Sequence, residues 1–284
     1  MRVSFMSKIV VFASCLLLIA CSSDDKAAQQ RLDKARELFR QGDYTLAKQE
    51  IDSMKTLYPK AFDRIKESFV LVDSIRYAEN TEMIAACDSL MAAYMPVIDS
   101  MKQYFIYQRN KEYQETGFFI PKEGYTGDKL SYTTLRSGVD EKDGKIYIES
   151  VFIGNQIHNQ IKVSTKDGSF AESLPVTDEG FNFRFSELGK QFEVIKFAGK
   201  NDNDNGVAQF VYANEDKPIT VTLSGGSKNT YTLPQNSKKA IVKALDLSVM
   251  MTQMDSLKTE KEKALYKLQY LKDKVNGGPT EVTE

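Results

Sequence analysis

The chain has 284 residues, of which 42% are hydrophobic and 27% are charged, and this composition is sufficient for one large or two modest folded domains. Its 38 Lys and Arg residues nearly balance its 39 Asp and Glu residues, which gives a net charge of −1 at pH 7. Because there is no basic excess to neutralise phosphates, the composition argues against a nucleic-acid partner.

The first 20 residues have the pattern of a secretory signal peptide. Arg2 and Lys8 supply positive charge ahead of an apolar run of about 11 residues over 9–19. A membrane-spanning helix needs roughly 20 apolar residues, whereas the apolar region of a cleaved signal is about this short. The sequence therefore predicts a signal peptide over residues 1–20 that is removed.

The end of this segment, Leu18-Ile19-Ala20-Cys21, resembles the lipobox of bacterial lipoproteins. The resemblance implies that Cys21 becomes the first residue of the mature chain and carries acyl groups that anchor it in a membrane. Ser22 at the second mature position implies the outer membrane, and the acidic run Ser22–Asp25 resembles the surface-export signal of Bacteroidota lipoproteins. The cell surface is thus favoured over the periplasmic face, although a solvated tether over residues 21–26 explains the same acidic run.

Residues 27–116 are rich in helix-forming residues, with apolar side chains at helical spacing, and are predicted to form a helical domain. The beginning of this domain resembles one tetratricopeptide repeat, a helical hairpin with Gly42 at its turn and Pro59 after its second helix. The residues that carry the resemblance are Ala35, Leu38, Phe39, Gly42, Asp43, Tyr44, Ala47, Ile51, Tyr58 and Pro59. A generic helical hairpin is the alternative.

Two further helical segments are expected before the first strand. A fainter second repeat spans Ala61–Pro96 with its turn at residues 79–81, where Thr81 is a candidate helix N-cap. A helix is then predicted over Val97–Glu115. Within the second repeat, Cys87 lies in an apolar stretch and is expected to be a free, buried thiol, since Cys15 leaves with the signal and Cys21 is acylated.

Residues 117–235 change to short segments that alternate apolar and polar side chains, as antiparallel strands with one polar face do. Turn pairs separate several of these segments, and together they predict an antiparallel β-sandwich or barrel. The clearest alternations are Phe181-Phe183-Phe185, Val207-Gln209-Val211 and Ile219-Val221-Leu223, and the turn pairs are Asp143-Gly144, Asp167-Gly168 and Asn205-Gly206.

Residues 236–275 are predicted to form one long helix with apolar side chains at alternating spacings of three and four. This seam must be covered, and antiparallel packing on the helical domain would produce a coiled-coil-like stalk with the β domain inserted between its arms. Self-association of two such helices is the alternative, and residues 276–284 are expected to be disordered. The predicted fold class is therefore α+β. The seam consists of Leu247, Met250, Met254, Leu257, Lys261, Ala264, Leu268, Leu271 and Val275.

Candidate chemistry is sparse, and no catalytic residue, cofactor or metal site is predicted. His158 is the single histidine and is expected in an exposed turn. The run Asn201–Gly206 has the oxygen-rich pattern of a calcium loop, but Asn201 stands where Asp is required and Tyr212 stands at the closing Glu position. A hairpin turn explains this run more simply, and ion binding is left open.

The sequence thus favours a lipid-anchored envelope protein that is a non-enzymatic scaffold, adaptor or binding protein for another envelope protein. A surface glycan-binding lipoprotein is the alternative. In that case Tyr125, Tyr132 and Tyr147 are the candidate stacking platforms, although aromatic side chains in strands more often pack within a sheet.

Overall fold

The computed structural model describes residues 24–125, 127, 130–177, 181–187, 189–198, 204–226, 228–275 and 277. They divide into two compact units. The first unit falls within Met1–Asp88 and Glu260–Glu284, and the second falls within Ser89–Thr259. The helices are α1 (24–40), α2 (Tyr44–Leu57), α3 (Phe62–Lys102), α4 (Val207–Ala213) and α5 (Gln235–Val275).

In the first unit, α1 and α2 form the predicted helical hairpin. Gly42 lies in its turn at φ +83°, a left-handed conformation that glycine adopts without a steric penalty. Ala35 and Ala47 are both fully buried, so the small side chains lie where the two helices pack. The second helix ends at Leu57, just before Pro59. The hairpin is confirmed, and its kinship with tetratricopeptide repeats stays a prediction.

The first-unit parts of α3 and α5 run antiparallel. Two ion pairs show the direction, because Lys261 Nζ lies 2.5 Å from Asp88 Oδ1 and Lys274 Nζ lies 2.5 Å from Asp73 Oδ2. Of the predicted seam residues of α5, only Val275 is exposed. Lys261 breaks the apolar pattern of the seam, and its pairing with Asp88 explains how the break is tolerated.

The predicted second repeat is wrong, and part of the predicted tether is helical. The second repeat does not form, because α3 continues through residues 79–81 without a turn. Thr81 is therefore no N-cap, and its hydroxyl donates back to the Tyr77 carbonyl at 2.8 Å, as in a helix interior. Residues 24–26, the described part of the predicted tether, belong to α1, and Asp25 lies 3.5 Å from Arg64 Nε. Residues 21–23 lie outside the described residues.

The second unit contains two antiparallel sheets, one with six strands in the order β1-β2-β3-β4-β8-β7 and one with four in the order β10-β9-β5-β6. The predicted turn pairs Asp143-Gly144 and Asp167-Gly168 lie in the β3–β4 and β5–β6 hairpins. The strands are β1 (Phe105–Gln108), β2 (Phe118–Pro121), β3 (Thr134–Asp140), β4 (Ile146–Ile153), β5 (Gln160–Ser164), β6 (Phe170–Glu172), β7 (Asn182–Glu187), β8 (Lys190–Phe197), β9 (Thr220–Ser224) and β10 (Asn229–Thr232).

A single apolar core joins both sheets, α4 and the beginning of α5. Ile148 and Phe197 of the larger sheet meet Val163 and Leu223 of the smaller one, and all four are at most 1% exposed. This face of the six-stranded sheet is called the inner face below, and the opposite face is the outer face. The arrangement confirms the predicted α+β class with a sandwich-like pair of antiparallel sheets.

Two segments of the second unit differ from the prediction. The helix predicted over Val97–Glu115 ends at Lys102, because the aromatic and β-branched run that follows pairs as β1 with β2. The predicted strand at 207–212 is helix α4. Val207, Ala208 and Val211 are all fully buried at helical spacing, and the pattern Val-x-x-x-Val fits both periods over so short a segment. Asn205-Gly206 therefore leads into a helix and not a hairpin.

Candidate functional site

The outer face of the six-stranded sheet has a line of three charged side chains across its central strands. Arg136 of β3 is paired with Glu149 of β4, which in turn is paired with Lys196 of β8. Side chains on directly opposed residues of neighbouring strands point to the same face and lie within contact distance. These three residues, called the charged row, place one anion between two cations.

A cavity of about 480 Å³ lies over this face and includes the charged row in its lining. Its size is within the range of small-molecule sites in proteins, roughly 300–1,000 Å³. We call it the sheet cleft. Its aromatic lining consists of Phe118, Tyr125, Tyr147, Phe183 and Phe185, and side-chain amides come from Gln108, Asn110 and Gln114.

Lys196 lies against two aromatic rings in the sheet cleft. Its Nζ is 4.0 Å from the Phe118 ring centre and 3.8 Å from the Tyr147 ring centre, which is a cation–π arrangement. The two rings contact each other edge to face at 5.5 Å. Burial lowers the pKa of Lys196, although the negative charges of Glu149 and Asp140 act in the opposite direction.

The other cation of the charged row is satisfied. Arg136 Nη2 donates to Glu149 Oε2 at 2.8 Å, and the side chains are 31% and 20% exposed. Among the described residues, by contrast, no oxygen accepts a hydrogen bond from Lys196 Nζ. The ammonium of Lys196 is therefore the part of the charged row that is available to a ligand.

The opposite side of the sheet cleft is formed by exposed aromatic rings of β7. Phe183 is 54% exposed and Phe185 is 42% exposed. The Phe185 ring stacks on Phe192 with a centroid distance of 5.1 Å and an angle of 10° between the planes. This contact holds a flat apolar surface beside the charged row, as stacking ligands require.

A second polar arrangement lies on the inner face of the same sheet. His158 Nδ1 lies 2.5 Å from Glu193 Oε2, and His158 Nε2 lies 2.8 Å from Ser150 Oγ. Glu193 also accepts hydrogen bonds from the His158 backbone N–H at 2.9 Å and from Arg184 Nε at 2.7 Å. The connectivity Ser–His–Glu is that of a hydrolytic triad.

Burial argues against a hydrolytic role for these three residues. Ser150 is fully buried, and His158 and Glu193 are each 2% exposed. A substrate carbonyl must come within about 3 Å of the serine oxygen, which this packing prevents. The network instead fixes the segment before β5 to the inner face. The prediction of an exposed turn histidine is wrong, because the polar neighbours of His158 in sequence concealed a buried partner on β8.

The oxygen-rich run does not assemble an ion site in the part that the structure describes. Residues 201–203 lie outside the described residues, and the Asp204 carboxylate accepts the Ala208 backbone N–H at 3.2 Å. Asp204 thus contributes to the beginning of α4. Across all residues with described positions, no group of three or more His, Cys, Asp or Glu side chains is placed to hold a metal ion.

The remaining candidate residues are distributed as follows. Tyr125 and Tyr147 line the sheet cleft, but Tyr147 is only 6% exposed and forms part of its wall. Tyr132 is 39% exposed and is not among the cleft-lining residues. Cys87 is the free buried cysteine that was predicted. Cys21, the predicted lipidation site, lies outside the described residues.

Sequence reasoning missed the charged row. The available signal was a charged residue inside each of three strand-forming segments, at Arg136, Glu149 and Lys196. The sequence does not show which of these strands are neighbours, because β8 pairs with β4 although β5, β6 and β7 lie between them in the chain.

Comparisons with protein-family models, curated proteins and solved structures returned no match.

Proposed function

We propose that this chain is a lipid-anchored protein of the bacterial cell envelope that binds another molecule and is not an enzyme. The anchor is Cys21, and the outer membrane, with the protein on the cell surface, is the proposed location. The lipobox-like Leu18–Cys21 after a short apolar run supports this part of the proposal. Among the described residues, no helix is both long and apolar enough to cross a membrane.

The sheet cleft is the observation that supports the binding role. It combines a volume of about 480 Å³, exposed aromatic rings and an ammonium without a hydrogen-bond acceptor among the described residues. Apolar pockets with a few convergent polar groups are the usual form of a binding site. The Ser150–His158–Glu193 network does not favour catalysis, because its serine is fully buried.

A second candidate function is that of an adaptor for another envelope protein, and the helical unit favours it. Three apolar side chains at the beginning of α3 are strongly exposed, Phe62 at 73%, Phe69 at 53% and Val70 at 70%. The spacings of seven and eight residues between Phe62 and the other two place them on one side of the helix. Exposed apolar groups that cluster in this way are typical of protein interfaces.

Two experiments test these roles separately. For the cleft, a small-molecule library is screened by thermal shift against the mature chain and a Phe183→Ala/Phe185→Ala variant. Ligands that stabilise only the unmodified cleft are expected.

For the adaptor role, a photo-crosslinking amino acid is placed at Phe62 in living cells, with the exposed position Tyr113 as control. Adducts at Phe62 alone support an adaptor, whereas identical patterns at both positions contradict it.

The anchor has its own test. Cys21→Ala is expected to leave the protein unprocessed and without incorporated alkyne-palmitate in metabolic labelling. Protease treatment of intact cells then separates the cell surface from the periplasmic face. Labelling that persists in Cys21→Ala would contradict the proposed anchor.

A further inference from the structure

The position of Lys196 suggests what kind of ligand the sheet cleft takes. Its ammonium is held over the Phe118 and Tyr147 rings, at 4.0 and 3.8 Å from their centres. A cation–π contact stabilises the charge of the ammonium, but the rings supply no lone pair that accepts a hydrogen bond. The N–H donors of Lys196 that point away from the rings therefore still need an acceptor. The cleft is the space available to those donors.

The acidic side chains of the cleft lining already have partners. Glu149 Oε2 accepts from Arg136 at 2.8 Å, and Glu123, the other acidic residue of the cleft lining, pairs with Lys243. Lys196 therefore leaves the charged row with one positive charge in excess. Burial lowers the pKa of Lys196 even though the negative charges of Glu149 and Asp140 raise it, which means that these charges compensate the ammonium incompletely. A single bound negative charge would compensate it.

The β7 side of the cleft is suited to an uncharged, flat group. Phe185 lies stacked on Phe192, and Phe183 on the same strand is 54% exposed. Both side chains alternate with Arg184, which points to the inner face and pairs with Glu193. The β7 side of the cleft is therefore apolar, and the positive charge is concentrated at the β3–β4–β8 side.

We infer that the sheet cleft binds a small organic acid, with its carboxylate on the Lys196 ammonium and its apolar or ring-shaped body against Phe183 and Phe185. This inference rests on the proposed function, in which the cleft is a binding site, and adds the class of ligand. A carboxylate matches the single excess charge, whereas a phosphate monoester brings nearly two negative charges at neutral pH. The cavity volume of about 480 Å³ suits a molecule of small-ligand size.

Such a carboxylate can come from a sugar acid or from an aromatic acid, and two matched pairs of probes separate these sources. The sugar arm uses galacturonate and its neutral methyl ester. The aromatic arm uses 4-phenylbutanoate and its primary amide. Each probe is titrated calorimetrically into the full mature chain in detergent. In at least one arm, the acid is expected to bind about tenfold or more tightly than its neutral partner.

Three variants assign this preference to one residue. Lys196→Met keeps the length of the side chain and is expected to reduce the ratio of acid to neutral affinity to about one, while Lys196→Arg keeps the preference. Lys142→Met, at an exposed turn position, is the matched control and leaves the ratio unchanged. Circular-dichroism melting confirms that each variant is folded.

Other outcomes overturn the inference in distinguishable ways. Equal affinity for acid and neutral partner in both arms shows that Lys196 does not recognise a carboxylate. No binding of either acid, together with neutral library compounds or peptides that stabilise the unmodified cleft, overturns the ligand class and leaves the binding function standing. If nothing in the thermal-shift screen depends on Phe183 and Phe185, the proposed function of the cleft fails as well.

Discussion

His158 Nδ1 lies 2.5 Å from Glu193 Oε2 in the interior of the sandwich, where both side chains are almost fully buried. The two oxygens of Glu193 also receive the His158 backbone N–H and Arg184 Nε. A buried carboxylate is tolerated only when its charge and lone pairs are satisfied in this way. Glu193 is therefore the residue that connects His158 and Arg184, and its substitution tests the whole network.

We expect Glu193→Ala to lower the free energy of unfolding by about 3 kcal/mol, because it leaves buried donors of His158 without an acceptor. Urea denaturation followed by circular dichroism measures this change. The matched control is Glu187→Ala in the same β7–β8 hairpin, whose side chain is exposed and whose loss is expected to cost no more than about 0.5 kcal/mol. Equal effects of the two substitutions would show that the network does not stabilise the fold.

The stability that Glu193 contributes should depend on pH. Burial alone would raise the pKa of its carboxyl, but hydrogen bonds from His158 and Arg184 outweigh burial and hold the pKa below its ordinary value of 4.5. A carboxyl with a lowered pKa in the folded state stabilises the fold above its ordinary pKa, and this contribution disappears as the pH falls through the folded-state value.

The measurement is the urea midpoint of the unmodified chain and of Glu193→Gln between pH 7 and pH 3. The difference between the two chains is expected to be constant down to about pH 5 and to shrink below it. A difference that stays constant over the whole range would contradict a lowered pKa for Glu193.

The network and the cleft show why the sequence predicted the fold better than the site. The helical hairpin and the α5 seam follow local periods, and Ala47 and Leu271 are buried as those periods require. His158, by contrast, meets Glu193 35 residues away. The neighbours of His158 in sequence carry no trace of this contact, because it is created by the pairing of β4 with β8. Short segments such as Val207–Ala213 were misassigned because seven residues do not separate a period of two from one of 3.6.

Gly138 and Tyr147 lie directly opposite each other on β3 and β4, and the Tyr147 ring covers the glycine. A Cβ atom on Gly138 would lie 2.3 Å from Tyr147 Oη and 2.5 Å from its Cζ. We expect Gly138→Ala to displace this wall of the sheet cleft and to cost about 1–3 kcal/mol of stability through overpacking. Thermal melts of the single variants and of Gly138→Ala/Tyr147→Val test this, since the smaller valine side chain in place of the tyrosine should relieve the clash. Additive effects of the two changes would exclude the steric explanation.

The α5 seam predicts different effects for two leucines of the same helix. Leu271 is 7% exposed, and Leu271→Ala is expected to lower the free energy of unfolding by about 2–4 kcal/mol through lost burial and a residual cavity. Leu265 is 47% exposed, and Leu265→Ala should change it by about 0.5 kcal/mol or less. Hydrogen exchange of the amides of residues 260–275 measures both effects locally. Similar acceleration of exchange in the two variants would contradict the assigned register of the seam.

The half-buried ammonium of Lys196 should lower stability at neutral pH. Because burial lowers its pKa from the ordinary value of 10.5, the folded chain binds fewer protons than the unfolded chain as the pH approaches that value. This destabilisation is therefore fully present below the folded-state pKa, and it is lost as the pH rises through that value.

Lys196→Met removes the charge. At pH 7 we expect the free energy of unfolding of this variant to equal that of the unmodified chain or to exceed it by up to about 1 kcal/mol, with the lost cation–π contact included. Urea denaturation at pH 7 and pH 10 should show a gain that shrinks at the higher pH, with Lys142→Met as a control without such a trend. If Lys196→Met instead lowers the free energy of unfolding by more than about 1 kcal/mol at pH 7, Lys196 stabilises the sheet and its position is explained by structure without a ligand.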